Sequence, residues 1–554
     1  MTHPSSCVKI HITRRVSIMA IIHQTDKRSG ITYAYEATYI WDKVKKQSRS
    51  KRTLIGRVDP DTNKIVPTDG RMKRIDPELQ VTVKPGSVST IMYQRLFYGA
   101  TYLLDMIGDK TGITEDLKYC FPNEYKQLLS IAYYLIMEDK NPLYRFEKWA
   151  IIHKHPYGKD IPSQRSSELF MGINADAVQR FFRLQGKRRQ EREYWVYDTT
   201  SFSSFSESLR QVRYGYNKEG DRLAQFNLAL VYGEQSNLPF YYRKLAGNIP
   251  DVKTVKALLE DLNMLGFQKV KLVMDKGFFS VENINGLMKE HLKFLIAVKT
   301  KLSFVKTELE KVYEVFRTFE YYNEDHQLYS ITVPGEWEYT QERPYKGDLI
   351  EEKRRVYIHL YYNIDRAAED QKNFDRRLMG LKRELISGNR DPENERKYKK
   401  YFMVKETPVR GIQVTVNETA VKKAKRYYGF FALLSNEKMD SIKALELYRN
   451  KDVAEKAFGD LKERLNMRRT LVSSEQGLDG KLFVEFIALI YLSYLKKQMQ
   501  IKNMFKDYTI SGLLDKLDVI ECFMRPEQKL QVGEVLEKQK QIYINLDITP
   551  PTSS

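Results

Sequence analysis

Cysteine is scarce. The chain of 554 residues has three, Cys7, Cys120 and Cys522, far apart and without a CxxC pair. That excludes a disulfide-built framework and a cysteine zinc module, and points to reduced cytosolic thiols. Of eight histidines only His153 and His155 lie close together, and no partner cluster accompanies them. A histidine-built zinc site is therefore not expected. No apolar run reaches the roughly 18 residues that span a bilayer. The most apolar stretch, Leu482 to Leu495 (LFVEFIALIYLSYL), carries Glu485 and reads as a buried helix. The N-terminus lacks the apolar segment and cleavage site of a secretory signal. Met19 offers a second start, which would make residues 1–18 an upstream extension or untranslated sequence. Internal repeats and low-complexity tracts are also missing, and the tail ITPPTSS reads as disordered. What remains is a multidomain protein of the cytoplasm, with no role for a membrane.

Acidic charge is in deficit. Lys and Arg total 92 against 72 Asp and Glu, a formal +20 with a pI near 9.4. Such a surplus attracts polyanions, nucleic acid first and anionic membrane second, although a generally basic protein has the same balance. A hydrophobic content of 42% is ample for several cores.

The pattern along the chain divides it into six segments. Residues 1–86 read as a small, basic, β-rich module: Ile31 to Ile40 (ITYAYEATYI) alternates like a strand, and a DPDTN turn joins later strands. Lys43 to Arg52 concentrates positive charge there, as a DNA contact or a solvated loop. Residues 87–190 are helical. Within them, Ser163 or Ser166 can start a helix, Gly172 can end it and Asn174 can cap the next. The pair resembles a helix-turn-helix ending in Lys187, Arg188 and Arg189. Residues 191–300 run as three strands, a helix, a strand, a helix and a strand, the order of a ribonuclease-H-like α/β sheet. Residues 301–426 mix strands with a charged helical run and read as a β-containing insertion. Residues 427–500 resume the core with the strand GFFALLSN and a long helix capped by Asp440 and Ser441. Residues 501–554 form a helical tail.

Three acids stand out by position. Asp198 closes the strand YWVYD, and Asp275 closes the strand KLVMD. Glu455 lies on the helix DSIKALELYRNKDVAEKAFGDLKERL, where Tyr448, Lys451, Glu455 and Lys462 are spaced to share one face. Open α/β sheets bind ligands at the carboxyl ends of strands. Hard oxygen donors suit Mg²⁺, and three carboxylates can hold the pair of ions that phosphodiester chemistry uses. Singly, each acid reads as a cap or a surface residue; together, in strand–strand–helix order, they read as a site.

The spacing Tyr448-x₂-Lys451-x₃-Glu455-x₆-Lys462 resembles the Y-x₂-R-x₃-E-x₆-K signature of bacterial insertion-sequence transposases with DDE catalytic sites. It departs at Lys451, where that group has Arg; Lys keeps the charge and loses the bidentate fork. YDTTSF, MDKGFFS, GNIPD (247–251) and GFFALLSN are similar to the group's other motifs, and the resemblance covers roughly residues 190–500. It implies a transposase that binds element ends and cuts and joins DNA. Asp198, Asp275 and Glu455 would be its catalytic metal ligands, with two Mg²⁺ ions (Mn²⁺ as a substitute). Tyr448, Lys451 and Lys462 are expected at the DNA. Arg210, Arg213, Tyr214 and Tyr216 are further candidates for phosphate contact or base stacking, or for a surface turn. The expected partner is double-stranded DNA, bound by a homodimer in the bacterial cytoplasm at the nucleoid. Rival readings are a two-metal nuclease that cuts without joining and an inactive, domesticated DNA-binding descendant.

Overall fold

The computed structural model describes residues 11–12, 18–42, 47–60, 62–66 and 94–552, apart from 140, 189–192, 207, 219, 221, 343–346, 348, 408–410, 466–468, 471, 473 and 525–528. Two compact units result, residues 1–91 and 92–554.

The first unit is a five-stranded sheet, β1 (His11–Ile12), β2 (Ile18–Thr25), β3 (Thr32–Asp42), β4 (Gln47–Val58) and β5 (Ile65–Val66), joined in sequence order. The DPDTN segment is the turn between β4 and β5. Asn63 adopts φ 53° there and donates its N–H to the Asp59 carbonyl, a left-handed position that Asn tolerates. Of the basic run, Lys43 to Lys46 lie outside the described residues, and Arg52 is exposed on β4.

The second unit opens with β6 (Gln94–Phe97) and the helices α1 (Gly99–Thr111), α2 (Ile113–Cys120), α3 (Tyr125–Met137), α4 (Phe146–Ile152), α5 (Ser163–Met171) and α6 (Ala175–Lys187). Asn174 caps α6 as expected, its side chain accepting the Ala177 N–H. Then follow β7 (Trp195–Ser204), β8 (Gln225–Gly233), β9 (Pro239–Ala246), α7 (Asp251–Leu265), β10 (Lys271–Met274), α8 (Val281–Lys289) and β11 (Lys293–Val298), the order read from the sequence. Next come α9 (Ser303–Val312), β12 (Tyr322–Asn323), β13 (Leu328–Glu342), β14 (Leu349–Tyr362), α10 (Ile364–Ile386), α11 (Glu395–Tyr401), β15 (Phe402–Thr407), β16 (Gly411–Val416) and α12 (Glu418–Lys425). The chain ends with β17 (Phe430–Ser435), α13 (Ser441–Arg449), α14 (Asp452–Gly459), β18 (Arg469–Thr470), α15 (Glu475–Ile501), α16 (Ile510–Asp518), β19 (Glu521–Met524), β20 (Gln531–Val532) and α17 (Glu537–Asn545).

One mixed sheet dominates, in the order β12-β13-β14-β17-β11-β10-β7-β8-β9, with β18 also on β7. β7, β10 and β11 run parallel, and β8 and β9 return antiparallel. β8 is buried along its whole length, as a central strand covered on both faces must be. β13 and β14 lengthen this sheet through β17, whereas α10, α11, β15 and β16 gather a small core of their own around Leu381, Leu385, Tyr398 and Phe402.

The apolar run of α15 is buried, not membrane-spanning; no helix among the described residues is long and apolar enough to cross a bilayer. α15 packs against α3 and α5. Gly480 permits the closest approach, since a Cβ there would stand 2.1 Å from the Phe170 carbonyl oxygen. The signature segment is not the single helix expected from its periodicity. It breaks at Asn450–Lys451 between α13 and α14, and Asp460 to Arg464 continue as one π-helical turn. Local periodicity cannot distinguish a continuous helix from two collinear pieces bent onto a sheet.

Candidate active site

Asp198 and Asp275 owe their proximity to sheet register. β7 and β10 are adjacent and parallel with Met274 level with Tyr197, so the next residue on each is a candidate acid. β10 then stops, but β7 does not close at Asp198 as expected: it continues to Ser204 and, among the described residues, pairs with β18 at Ser203 and Ser204 alone. The stretch of β7 from Asp198 to Phe202 is thus left without a neighbour on that side. α13 and α14 pass here, and Asp440 caps α13 by accepting the N–H groups of Ile442 and Lys443.

The four signature residues divide their contacts among the acids and β7. Tyr448 donates its hydroxyl to Asp275 Oδ1 at 2.5 Å. Lys451 Nζ lies 2.8 Å from Glu455 Oε1 and acts electrostatically on Asp275 and Asp198 as well. Lys451 therefore pairs directly with Glu455 and reaches the other two acids only through its charge. Lys462 donates to Thr200 Oγ1 at 2.8 Å and sits 5.5 Å above the Phe202 ring, so the π-helical turn still directs it at β7. Glu455 is the most open of the acids, its side chain 59% exposed against 17% for Lys451.

These contacts set the carboxyl groups apart. Burial pushes Asp198 up to about 6, opposed by Lys218, by the Thr199 N–H and by Lys451. Burial also pushes on Asp275, yet the Tyr448 hydroxyl, the Lys276 N–H and the neighbouring lysine charges outweigh it and hold the group below its ordinary value. Burial, then the hydrogen bond to Asp275, raises the Tyr448 phenol, which keeps it a neutral donor. Burial works against the Lys451 charge, but Glu455, Asp275 and Asp198 together raise it above its ordinary value.

A model of the transposase DDE-domain family matches residues 189–491, more than half of the chain. The chain belongs to that family. The transposase domain so defined begins just before β7 and ends within α15, so it contains both strand acids and the signature segment. Its family cuts DNA and works with divalent metal ions. No curated protein matches the sequence. A cryo-EM structure of a piggyBac transposase synaptic complex with hairpin DNA (SNHP) is among the solved structures that match. It covers 76% of both chains at 10% identity and a TM-score of 0.34, a likeness too loose to transfer any residue.

For a divalent cation the donor chemistry fits. All three candidate acids offer hard carboxylate oxygens, and the positive charge of Lys451 already acts on each of them. Among the described residues no three His, Cys, Asp or Glu side chains form a ready-made cage. Glu455 would have to leave Lys451 to complete one.

Other expected contacts of this transposase domain are distributed unevenly. Arg210 and Arg213 lie on the loop between β7 and β8, with Tyr214 and Tyr216 76% and 87% exposed. The Arg210 N–H is tied to Glu475 Oε1 at 2.5 Å, and Arg213 bridges to Gln225, so the loop is pinned while its aromatic rings face outward. Lys187 is exposed at the end of α6, and Arg189 lies outside the described residues. Arg188 is engaged elsewhere: its guanidinium holds Asp116, 3% exposed, at 2.6 Å. α5 and α6 pack into the core, with Phe182 of α6 against Tyr241, Tyr242 and Phe486.

Two residues beside Asp198 escaped the sequence reading. Lys218, from the same loop, donates to the Thr199 carbonyl (2.7 Å) and to Thr199 Oγ1 (2.9 Å), and pairs with Asp251 Oδ2 (3.0 Å). Asp251, the last residue of GNIPD, also accepts from Thr199 Oγ1 at 2.5 Å. The motif was a visible signal for Asp251, although an Asp in a helix's first turn reads as a cap. Lys218 carried none.

Proposed function

We propose that this protein is a DNA transposase that binds the ends of a mobile element and performs metal-dependent strand cleavage and strand transfer, with Asp198, Asp275 and Glu455 as the metal-holding acids. The observation that carries the reading is the level placement of Asp198 and Asp275 on adjacent strands, with Tyr448 bonded to Asp275 and Lys451 to Glu455, inside the segment matched to the family. Mg²⁺, as two ions with Mn²⁺ able to substitute, would supply the Lewis acidity that activates the attacking water and offsets charge at the phosphorus. Asp198 and Asp275 stand on adjacent strands and give the site its rigid side. Glu455, exposed and on a helix, completes it. Tyr448 orients Asp275 through its hydroxyl, and as a neutral phenol it positions without attacking.

Lys451 and Lys462 face the same strand and would meet the phosphate backbone beside the cut bond. Arg210, Arg213 and Lys187 would extend that contact along the duplex, and Tyr214 and Tyr216 offer stacking faces. Arg188 belongs to the fold, because withdrawing it would strand a buried carboxylate. The Tyr448, Lys451, Glu455 and Lys462 spacing supports membership of the insertion-sequence group with the Tyr-Arg-Glu-Lys signature. The core is read as ribonuclease-H-like, working as a homodimer on paired ends at the bacterial nucleoid.

The test is cleavage of a labelled duplex carrying one element end, with Mg²⁺ and with EDTA, for wild type and Glu455→Gln. Wild type should cut only with metal and then join its 3′-hydroxyl to a second duplex. The variant should bind with unchanged affinity and lose at least about 100-fold in cutting, the usual scale for removing a group that stabilises the transition state. Cutting by the variant at the wild-type rate would remove Glu455 from the site. Cutting without joining by the wild type would leave a nuclease.

A further inference from the structure

β17 lies between β11 and β14 and stops before either of them at one end. Its last residue, Ser435, is level with Leu295 on β11 and Tyr357 on β14, and both neighbours extend two residues or more past it. A notch of about 370 Å³ opens where the central strand stops. Lys293 lines one wall, Lys353, Arg354 and Arg355 the other, and His291 and Asn436 close it. Asn436 explains why the gap does not collapse. Its side chain caps the exposed edge of β11, donating to the Leu292 carbonyl (2.8 Å) and accepting the Phe294 N–H (2.9 Å).

No carboxylate lines this notch. Lys353 is paired with Glu338, and Arg354 with Glu352, both on the flank of the strand. Lys293 and Arg355 are exposed and make no salt bridge among the described residues. The acid whose charge Lys293 feels, Glu437, is already held by Lys271 and Tyr194. Two solvent-exposed cations, Lys293 (which also reaches the Asn436 carbonyl at 3.5 Å) and Arg355, thus stand on the two walls of a polar gap without an acid between them. The notch is also remote from the acids. Lys293 is level with Lys271 at the start of β10, and Asp275 comes four residues later, about 13 Å along the strand at 3.3 Å per residue.

We propose that the notch is a phosphodiester site for a DNA segment other than the one carrying the cut phosphate, with Lys293 and Arg355 as its contacts. The proposal rests on the chain's acting on DNA and not on which acids cut it. Two backbone phosphates fit the two exposed cations, and bases are not read there.

The experiment is the salt dependence of binding to a random 30-base-pair duplex, for wild type, Lys293→Gln/Arg355→Gln, and the control Lys422→Gln/Lys423→Gln. The control pair lies on the exposed side of α12 and removes the same charge. Each lost phosphate contact lowers the slope of log K against log salt by about 0.9, so the notch variant should lose roughly 1.8 and bind tens of fold more weakly at 0.1 M salt. The control should keep the wild-type slope, Lys293→Arg/Arg355→Lys should retain most of it, and element-end cleavage at saturating protein should stay within about twofold. Thermal melting of each variant checks the fold. A notch variant with the wild-type slope, or one no different from the control, overturns the proposal. So does saturable binding of orthophosphate that the variant loses while its duplex slope is unchanged, which would make this a free-phosphate site. Failure of the wild type to bind any duplex would instead refute the DNA reading itself.

Discussion

Replacing Asp198 with Asn should stabilise the metal-free protein. Asp198 is raised from 3.8 to about 6, first by burial, with Lys218, the Thr199 N–H and Lys451 opposing. The folded state therefore holds a proton that the unfolded chain has already released. Between about pH 4 and pH 6 the wild type loses stability as pH rises, and above pH 6 the full cost of the buried charge is present. A shift of about two units corresponds to roughly 3 kcal/mol. Asn cannot ionise and resembles the protonated acid in shape. The variant should exceed the wild type by only about 1 kcal/mol at pH 4.5 and by about 3 kcal/mol at pH 8 in EDTA. Urea unfolding at the two pH values measures this directly. Mg²⁺ should then narrow the gap: ten times its dissociation constant adds about 1.4 kcal/mol to the wild type and little to the variant. Equal stability of the two proteins at pH 8, or a gap that does not change between pH 4.5 and pH 8, would refute the assignment of Asp198 as a buried carboxylate awaiting a cation.

Arg188→Ala should cost about 2 kcal/mol in urea unfolding, below the usual range for a broken buried pair because the guanidinium is 41% exposed. Its affinity for DNA should be unchanged; a loss of binding without a loss of stability would return Arg188 to the DNA surface. Lys451→Met removes the ammonium whose charge acts on the three acids. In metal-free buffer it should be less stable than wild type. Mg²⁺ should raise its melting temperature more than that of the wild type, because the cation no longer competes with an ammonium. An identical response to Mg²⁺ in the two proteins would show that Lys451 does not occupy the cation's place.

Much of the second unit was legible in the sequence because its signals are local. Strand, helix and strand segments from Trp195 to Val298 follow in the order that apolar periodicity and turn residues indicate. Asn174 and Asp440 work as helix caps, a preference that depends only on a side-chain oxygen and the first free N–H groups. Tyr448, Lys451, Glu455 and Lys462 could be picked out by spacing alone, since residues three, four and seven apart lie close on a helical surface.

Other features depended on contacts between distant segments. The break at Asn450–Lys451 and the π-helical turn after Gly459 arise where the helix bends onto β7, which periodicity does not register. Lys218 and Asp251 meet beside Asp198 only because a loop folds back over the sheet, although they stand 33 positions apart in sequence (251 minus 218). Arg188 looked like the end of a basic cluster until Asp116, 72 residues earlier, proved to be its partner. The continuation of the sheet through β13 and β14, and the notch where β17 ends, follow from pairing β17 with β14, whose Tyr357 lies 78 positions before Ser435 (435 minus 357), and with β11, whose Leu295 lies 140 positions before it (435 minus 295). Sequence by itself determined the candidate acids and most of the elements that carry them, because those choices follow from side-chain type and short-range period. Tertiary structure alone decided which charges face one another, because burial and Coulomb interaction act through distances that the order of residues does not contain.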